Sequence, residues 1–394
     1  MATTDVHSAL DHAVPLLTHL HHTRPRSLIV DSGDFFEGPH YQLTRGRVER
    51  DILTELYDVI APGNHGWTHH FDPALRRITV CANTIDRSTA APLFRPLHHA
   101  RISGRRVAIT AVIGEGAFAS IAPDLRAHHD VISPISALQR LHRAHRHEAD
   151  SWILLSHSGF AHDIDLAREC PFLDLVFSGH CHSSRNGPTR VAGGTIVVKG
   201  REHGAGYATA ELQPSGWTAR SRIMPQAATA PAQLNALTTQ IAKIDQQLDE
   251  SIGPLRERWR NTSPDPGEVL ARTATAIRDR TGAGVVLNHS ALRQRHLQTT
   301  LTRRQLADLA PYDNRLLYVD VQAHHLVNLL IEIAAQTGPL AVSLHDRPSG
   351  RLLTTDYLAP YLADSAHSAD LRLSHIIGAI LTTSAPWTAM GSMD

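Results

Sequence analysis

Side chains able to hold metal ions fall in five short segments of the first half of the chain. They are Asp5-Val6-His7, Gly33-Asp34, Gly63-Asn64-His65, Ser156-His157 and Gly179-His180-Cys181-His182. Together they offer two carboxylates, one side-chain amide and five imidazoles. A mixed oxygen and imidazole set suits Zn, Mn, Fe or Co, and does not choose among them. The set is large enough for two ions. Two ions about 3.5–4 Å apart can activate a water and clamp both oxygens of an in-line displacement. That chemistry suits phosphate esters.

The elements that must position these residues can be read from the apolar runs before them. Ser27-Leu28-Ile29-Val30 precedes the Asp34 segment, and Asp58-Val59-Ile60-Ala61 precedes the Asn64 segment. Trp152-Ile153-Leu154-Leu155 precedes His157, and Leu173-Asp174-Leu175-Val176-Phe177 precedes His180. Only four residues precede Asp5. The run 107–113 reads as a further buried strand. Short β-rich runs separated by helical patterns predict an α/β layered domain. Ligands of α/β sheets gather at the C-terminal ends of the strands, so the five segments are expected to converge on one site. Gly33, Gly63 and Gly179 are expected to make tight turns that aim the next residue inward. Cys181 is expected to point away from its two neighbours and pack.

The bulk numbers narrow the function classes. A length of 394 residues suggests two domains, and 42% hydrophobic residues suffice for ordinary cores. Lys+Arg and Asp+Glu are both 38, so no basic excess points to a nucleic-acid polymer. The 28 histidines include runs such as His21-His22, His98-His99 and His128-His129. An Arg/Ala/His-rich composition accounts for those, so the total alone establishes no metal site. Cys81, Cys170 and Cys181 are too scattered for a disulfide framework. No apolar run is long enough for a membrane span, and no signal peptide is visible, so a cytoplasmic location is the expectation.

Three regions follow along the chain. Residues 1–225 carry the ligand segments. Residues 226–262 read as a helical interdomain connector, with a helix over 233–260 kinked at Pro254. Residues 263–394 read as a second α/β unit, with helices over 268–280, 302–309 and 323–336, strands over 284–288 and 316–321, and a frayed end at 385–394.

The series Asp-x-His, Gly-Asp, Gly-Asn-His, His, Gly-His-x-His resembles that of the calcineurin-like metallophosphoesterases. Over residues 3–362 the chain is similar to the two-domain 5′-nucleotidase group. Asn288-His289-Ser290-Ala291-Leu292-Arg293 stands where that group has Asn-Gly-Gly-Ile-Arg. Pro311-Tyr312-Asp313-Asn314 stands for its Pro-Phe-Gly-Asn, and the run 353–359 resembles the late strand before its second substrate aromatic. The resemblance implies an α/β fold: a metallophosphoesterase-type αββα sandwich followed by a smaller α/β domain of the 5′-nucleotidase C-terminal type. It implies two divalent ions, one on Asp5, His7, Asp34 and His182, the other on Asp34, Asn64, His157 and His180, with Asp34 bridging. His65 would stabilise the phosphoryl oxygens or protonate the leaving group. Asn288 and Arg293 would meet phosphate or sugar, Tyr312 would stack on a nucleobase and Asn314 would bond its edge. The implied activity is hydrolysis of a nucleotide or nucleotide-like phosphomonoester by a metal-bridging hydroxide. The second domain would rotate to deliver the substrate. A cyclic-nucleotide or other phosphodiesterase, and a non-catalytic nucleotide-binding protein, are the alternatives on the same metals.

The sequence also departs from that pattern. The group carries an acidic residue three positions after the histidine of Gly-Asn-His, which orients that imidazole. Here Gly66-Trp67-Thr68 follows His65. Without that carboxylate His65 is expected to be protonated less often, with Asp72 a nearby candidate substitute. His289-Ser290 replaces paired glycines, and Pro360-Tyr361-Leu362-Ala363-Asp364 replaces a glycine-rich ending. Tyr361 is expected in the core rather than on substrate.

Overall fold

Period-two patterning builds the first layers. In the computed structural model, which describes all residues except 228, 313, 346–349, 364 and 384–394, the chain divides into two compact units, Met1–Ile244 and Asp245–Asp394. Asp313, Asp364 and the expected frayed end at 385–394 lie outside the described residues. Five strands of the first unit lead into the ligand segments: β1 (Ala2–Thr3), β2 (Val30–Asp31), β3 (Val59–Ile60), β4 (Ser151–His157) and β5 (Leu175–Ser178).

β1, β2 and β3 lie side by side in parallel, and two antiparallel strands, Gly206–Gln213 and Gly216–Ile223, extend their sheet beyond β1. In the second sheet β4 lies between Arg105–Ile113 and β5, all parallel. Ile196–Lys199 pairs in parallel on the far side of β5. Alternate residues of β4 face opposite ways. Ile153 and Leu155 join Ala2, Val30, Val59 and Ile109 in the core between the sheets. Trp152 and Leu154 pack instead with Leu138, Ile164 and Ala167 of the helices Pro134–His145 and Phe160–Glu169. Each such buried Val, Leu or Ile side chain is worth about 1.5–3 kcal/mol of burial. The result is an αββα sandwich.

The second unit is built on a five-stranded mixed sheet, in the order Leu340–Ser343, Gly284–Asn288, Arg351–Thr355, Arg315–Asp320, Ala366–Arg372. Val285 and Leu287 face the helices Pro266–Thr281 and Leu373–Leu381. Val286 faces Leu326 and Ile333 of Leu326–Thr337. Pro266–Thr281 starts where Asp265 accepts the Glu268 N–H at 2.9 Å and stops at Gly282, whose φ is +68°.

The helix expected over 233–260 is shorter. It spans Asn235–Leu248, and Ser251–Pro254 is a strand paired with Thr300–Thr302. Ile252 continues the helical spacing of Leu248, but Gly253 and Pro254 cannot continue the helix well, and Leu255 finds its burial in the second unit's core. Among the described residues no helix is long and apolar enough to cross a membrane.

Candidate metal centre

All five ligand segments lie at the C-terminal ends of their strands. The first two loops run side by side: Asp5, His7 and Ser8 donate N–H bonds to Gly33 O, Asp34 O and Phe35 O at 3.0, 3.0 and 2.8 Å. Asp5, His7, Asp34 and His180 take φ of +49°, +48°, +57° and +75°. Such φ values in non-glycine residues cost on the order of 1–3 kcal/mol each and cluster at functional sites. Of the three glycines, only Gly33 has positive φ, at +101°. Gly63 and Gly179 are there for space rather than for a turn. A Cβ on Gly63 would overlap Asp34 Oδ1, and one on Gly179 would lie 2.5 Å from Thr4 Oγ1.

The side chains form two groups that meet on one carboxylate. In the first, His7 Nε2 and His182 Nε2 are 3.1 Å apart, with Asp5 Oδ1 3.9 Å from His182 Nε2. In the second, Asn64 Oδ1 lies 3.1 Å from both His157 Nε2 and His180 Nδ1. Two imidazole nitrogens on one tetrahedral ion are separated by about 3.3 Å, given metal–nitrogen bonds of about 2.0–2.1 Å. Asp34 joins the groups. Its Oδ1 accepts the His65 N–H at 2.8 Å, while Oδ2 lies 3.1 Å from His157 Nε2 and 4.0 Å from His7 Nε2. The donor types, their convergence and their burial fit divalent cations.

Bonds behind the ligands hold them, and one of these fixes the tautomer of His157. His157 Nδ1 lies 2.9 Å from Ser32 O. A carbonyl only accepts, so Nδ1 carries the hydrogen and Nε2 is left for an ion. Asp5 accepts the His180 N–H and the Thr4 hydroxyl. Burial alone would raise the Asp34 carboxyl, but the imidazoles of His157, His65 and His7 outweigh it and hold it well below the usual carboxylate range. Burial alone would lower His157, yet Asp34 and Asp5 hold its imidazolium up to about 9. A cation on Nε2 must displace that proton, so binding releases protons. Burial and the neighbouring His157 bring His180 down to about 4, which leaves it neutral.

His65 corrects the sequence expectation. Its Nδ1 is in direct contact with Glu37 Oε2, and its Nε2 lies 3.9 Å from Asp34 Oδ2. Burial would lower its pKa, but Asp34 and Glu37 raise it. His65 thus does have a carboxylate partner, supplied by a loop distant in sequence. Asp72 is not that partner: it caps the helix Pro73–Arg76 through the Ala74 N–H and lies 3.7 Å from Arg50. Glu37 was legible only as an acid three residues beyond a ligand. His203 was also missed. Its ring centroid lies 5.5 Å from those of His7 and His182, and its N–H bonds Asp5 O at 2.9 Å. It follows the strand Ile196–Lys199, so the strand-end pattern did contain a signal for it. Cys181 packs as expected, its Sγ accepting the Phe160 N–H at 3.1 Å.

In the second unit, Arg293 and Tyr312 come together. The guanidinium carbon is 5.5 Å from the ring centroid, and Nη2 donates to the Tyr312 hydroxyl at 3.3 Å. Tyr312 is 41% exposed. Asn288 is buried, with Oδ1 accepting from Thr355 and Nδ2 donating to Ser290. Asn314 donates to Asp356 at 3.1 Å. Tyr361 packs against the core on the Leu326–Thr337 side, as expected.

No family model matches the chain, and no curated protein matches it in sequence. Its structure resembles that of a 5′-nucleotidase precursor from Thermus thermophilus, with 18% identity and a TM-score of 0.69 over 96% of this chain and 94% of that one. It also resembles a putative 5′-nucleotidase from Staphylococcus aureus, with 15% identity and a TM-score of 0.71 over 96% and 95% of the two chains. The chain has the two-domain 5′-nucleotidase fold. A third structure with this fold is the Thermus thermophilus sulfate thiohydrolase SoxB, 18% identical with a TM-score of 0.67 over 93% of this chain and 80% of that one. The 5′-nucleotidase fold therefore occurs in hydrolases named for different substrates, and the residues of the site must decide the reaction.

Proposed function

We propose that this chain is a metal-dependent phosphomonoesterase that hydrolyses a nucleotide or a nucleotide-like phosphate. The carrying observation is Asp34 Oδ2, which faces His157 on one side and His7 on the other. One carboxylate oxygen between two imidazole-rich groups suits a bridge between two divalent ions. Asp5, His7 and His182 complete one ligand set, and Asn64, His157 and His180 the other. When bound, the ions would supply Lewis acidity toward water and the phosphoryl oxygens.

The remaining steps belong to side chains of this protein. His65 turns Nε2 toward the Asp34 side of the site, where it would donate a hydrogen bond to a phosphoryl oxygen or a proton to the leaving alkoxide. Tyr312 offers an exposed aromatic face, suited to stacking on a base, and Arg293 beside it offers a cationic fork. Asn288 and Asn314 bond within their own unit and would hold the segments that present this pair. An unpartnered His65 would favour a non-catalytic binding protein, and the Glu37 contact weakens that reading.

The test is phosphate release from nucleoside mono-, di- and triphosphates and from sugar phosphates, with Mn, Zn or Co, by wild type and Asp34→Asn. Release from nucleotides that Asp34→Asn abolishes supports the proposal. Hydrolysis of bis(p-nitrophenyl) phosphate with no release from any monoester would replace it with a phosphodiesterase.

A further inference from the structure

We propose that Glu37 is the positioning carboxylate of His65, taking the place that Thr68 leaves without an acid. The inference deepens the reading above and rests on His65 acting at the phosphoryl or leaving oxygen. Glu37 Oε2 contacts His65 Nδ1 directly and lies 3.4 Å from His7 Nδ1. The Glu37 side chain is 8% exposed. A carboxylate against Nδ1 requires a hydrogen there, which sets the tautomer and turns Nε2 toward the site. Serine hydrolases use the same logic, in which a buried acid holds one ring nitrogen so that the other can work.

The loop of His65 itself offers no such acid. Thr68 is exposed to solvent on the short helix Trp67–Phe71, and the Asp72 carboxylate serves the helix cap and Arg50. Glu37 comes from the Asp34 loop instead. Its φ of +99° is a conformation that side chains rarely adopt. The flanking backbone holds it there: Ser8 N–H bonds Phe35 O at 2.8 Å, and a Cβ on Gly38 would lie 2.6 Å from His7 O. The loop is strained, and the strained residue is the one whose carboxylate meets His65. Glu37, His7 and His65 are also near enough to one another to be considered as ligands of a single ion. The positioning role rests on the direct contact of Glu37 with His65, and the metal content of Glu37→Ala separates that role from a shared cation.

Wild type, Glu37→Ala, Glu37→Gln, His65→Ala and the Glu37→Ala/His65→Ala double variant decide the matter, assayed with Mn on phenyl phosphate and p-nitrophenyl phosphate. Bound metal is counted by mass spectrometry. The His65 tautomer is read from 15N-labelled imidazole spectra, assigned by the signals missing in His65→Ala. Glu37→Ala should keep its metal and its KM and lose about 100-fold in kcat on phenyl phosphate. The loss should be smaller on p-nitrophenyl phosphate, whose leaving group needs less protonation. In the His65→Ala background the same change should do nothing. Glu37→Gln, whose amide oxygen can still accept from Nδ1, should recover most of the rate. Loss of metal in Glu37→Ala, or equal slowing in both backgrounds, would overturn the proposal and assign Glu37 to the His7 side. If wild type hydrolyses neither ester, the phosphatase reading fails, and the tautomer still decides: a His65 that keeps Nδ1–H without Glu37 sinks the positioning role.

Discussion

The two units treat their candidate functional residues in opposite ways. In the first, Asp5, His7, Asp34 and His157 are buried, and the ligand loops are held by backbone strain, by close-packed glycines and by bonds such as that of His157 Nδ1 to Ser32 O. In the second, Tyr312 and Arg293 lean on one another at the surface, while Asn288 and Asn314 bond within the unit. A site that must hold cations needs its donors fixed before the cation arrives, because every loose ligand adds an ordering cost. A surface that stacks on a flat ring needs only an exposed face. Substitutions in the first unit should therefore act on chemistry and folding together, and those at the second unit's surface on substrate affinity alone.

Asp34→Asn is the strongest test. Removing the charge from the oxygen shared by both groups should lower kcat by about 1,000-fold or more and reduce bound metal, read by phosphate release and mass spectrometry. Retained activity would undo the contrast.

A pH titration probes the first unit next. Burial pushes the Asp163 carboxyl, which accepts from Ser156 at 2.5 Å, up to about 7. Because its folded pKa lies above the unfolded one, its contribution to stability is full below about pH 4 and is lost as pH rises through about 7. Asp163→Asn should remove that fall, raising stability at pH 8 by an amount on the order of a few kcal/mol relative to wild type. Denaturant unfolding at pH 4, 6 and 8 measures it, and an unchanged slope would show that Asp163 is charged in the fold.

Gly63→Ala drives a methyl group into Asp34 and should destabilise the first unit by about 1–3 kcal/mol while weakening metal binding. Asn288→Ala leaves buried Thr355 without its acceptor and should cost about 1–3 kcal/mol of second-unit stability. A normal unfolding midpoint in either variant would show that the local packing relaxes. The smallest effect is the cleanest: Tyr312→Ala should raise KM for a nucleotide about tenfold and leave kcat and the unfolding midpoint unchanged.

Four of the five ligand segments were readable because an apolar run that reads as a buried strand leads into each, and strand ends in α/β sheets converge; Asp5 and His7, with only four residues before them, were readable from their types and order. The helix over 233–260 was over-read because Leu248 and Ile252 keep helical spacing across a change of structure, and spacing does not register that Ser251–Pro254 finds a partner in Thr300–Thr302. Gly63 and Gly179 were legible as glycines but not for their reason, since close approach depends on which side chain arrives from another loop.

The donor types, their order and the strands that end beside them are written in the amino-acid order, because local patterning sets strands and strands set where their loops emerge. Which carboxylate meets His65 was settled by how the strands pack. Glu37 and His65 belong to different loops, separated by two helices and a strand, and their contact follows from the parallel pairing of β2 with β3 and the left-handed turn at Glu37. A hydrogen bond between side chains distant in sequence is set by the packing of the strands beneath them, and no spacing along the chain records it.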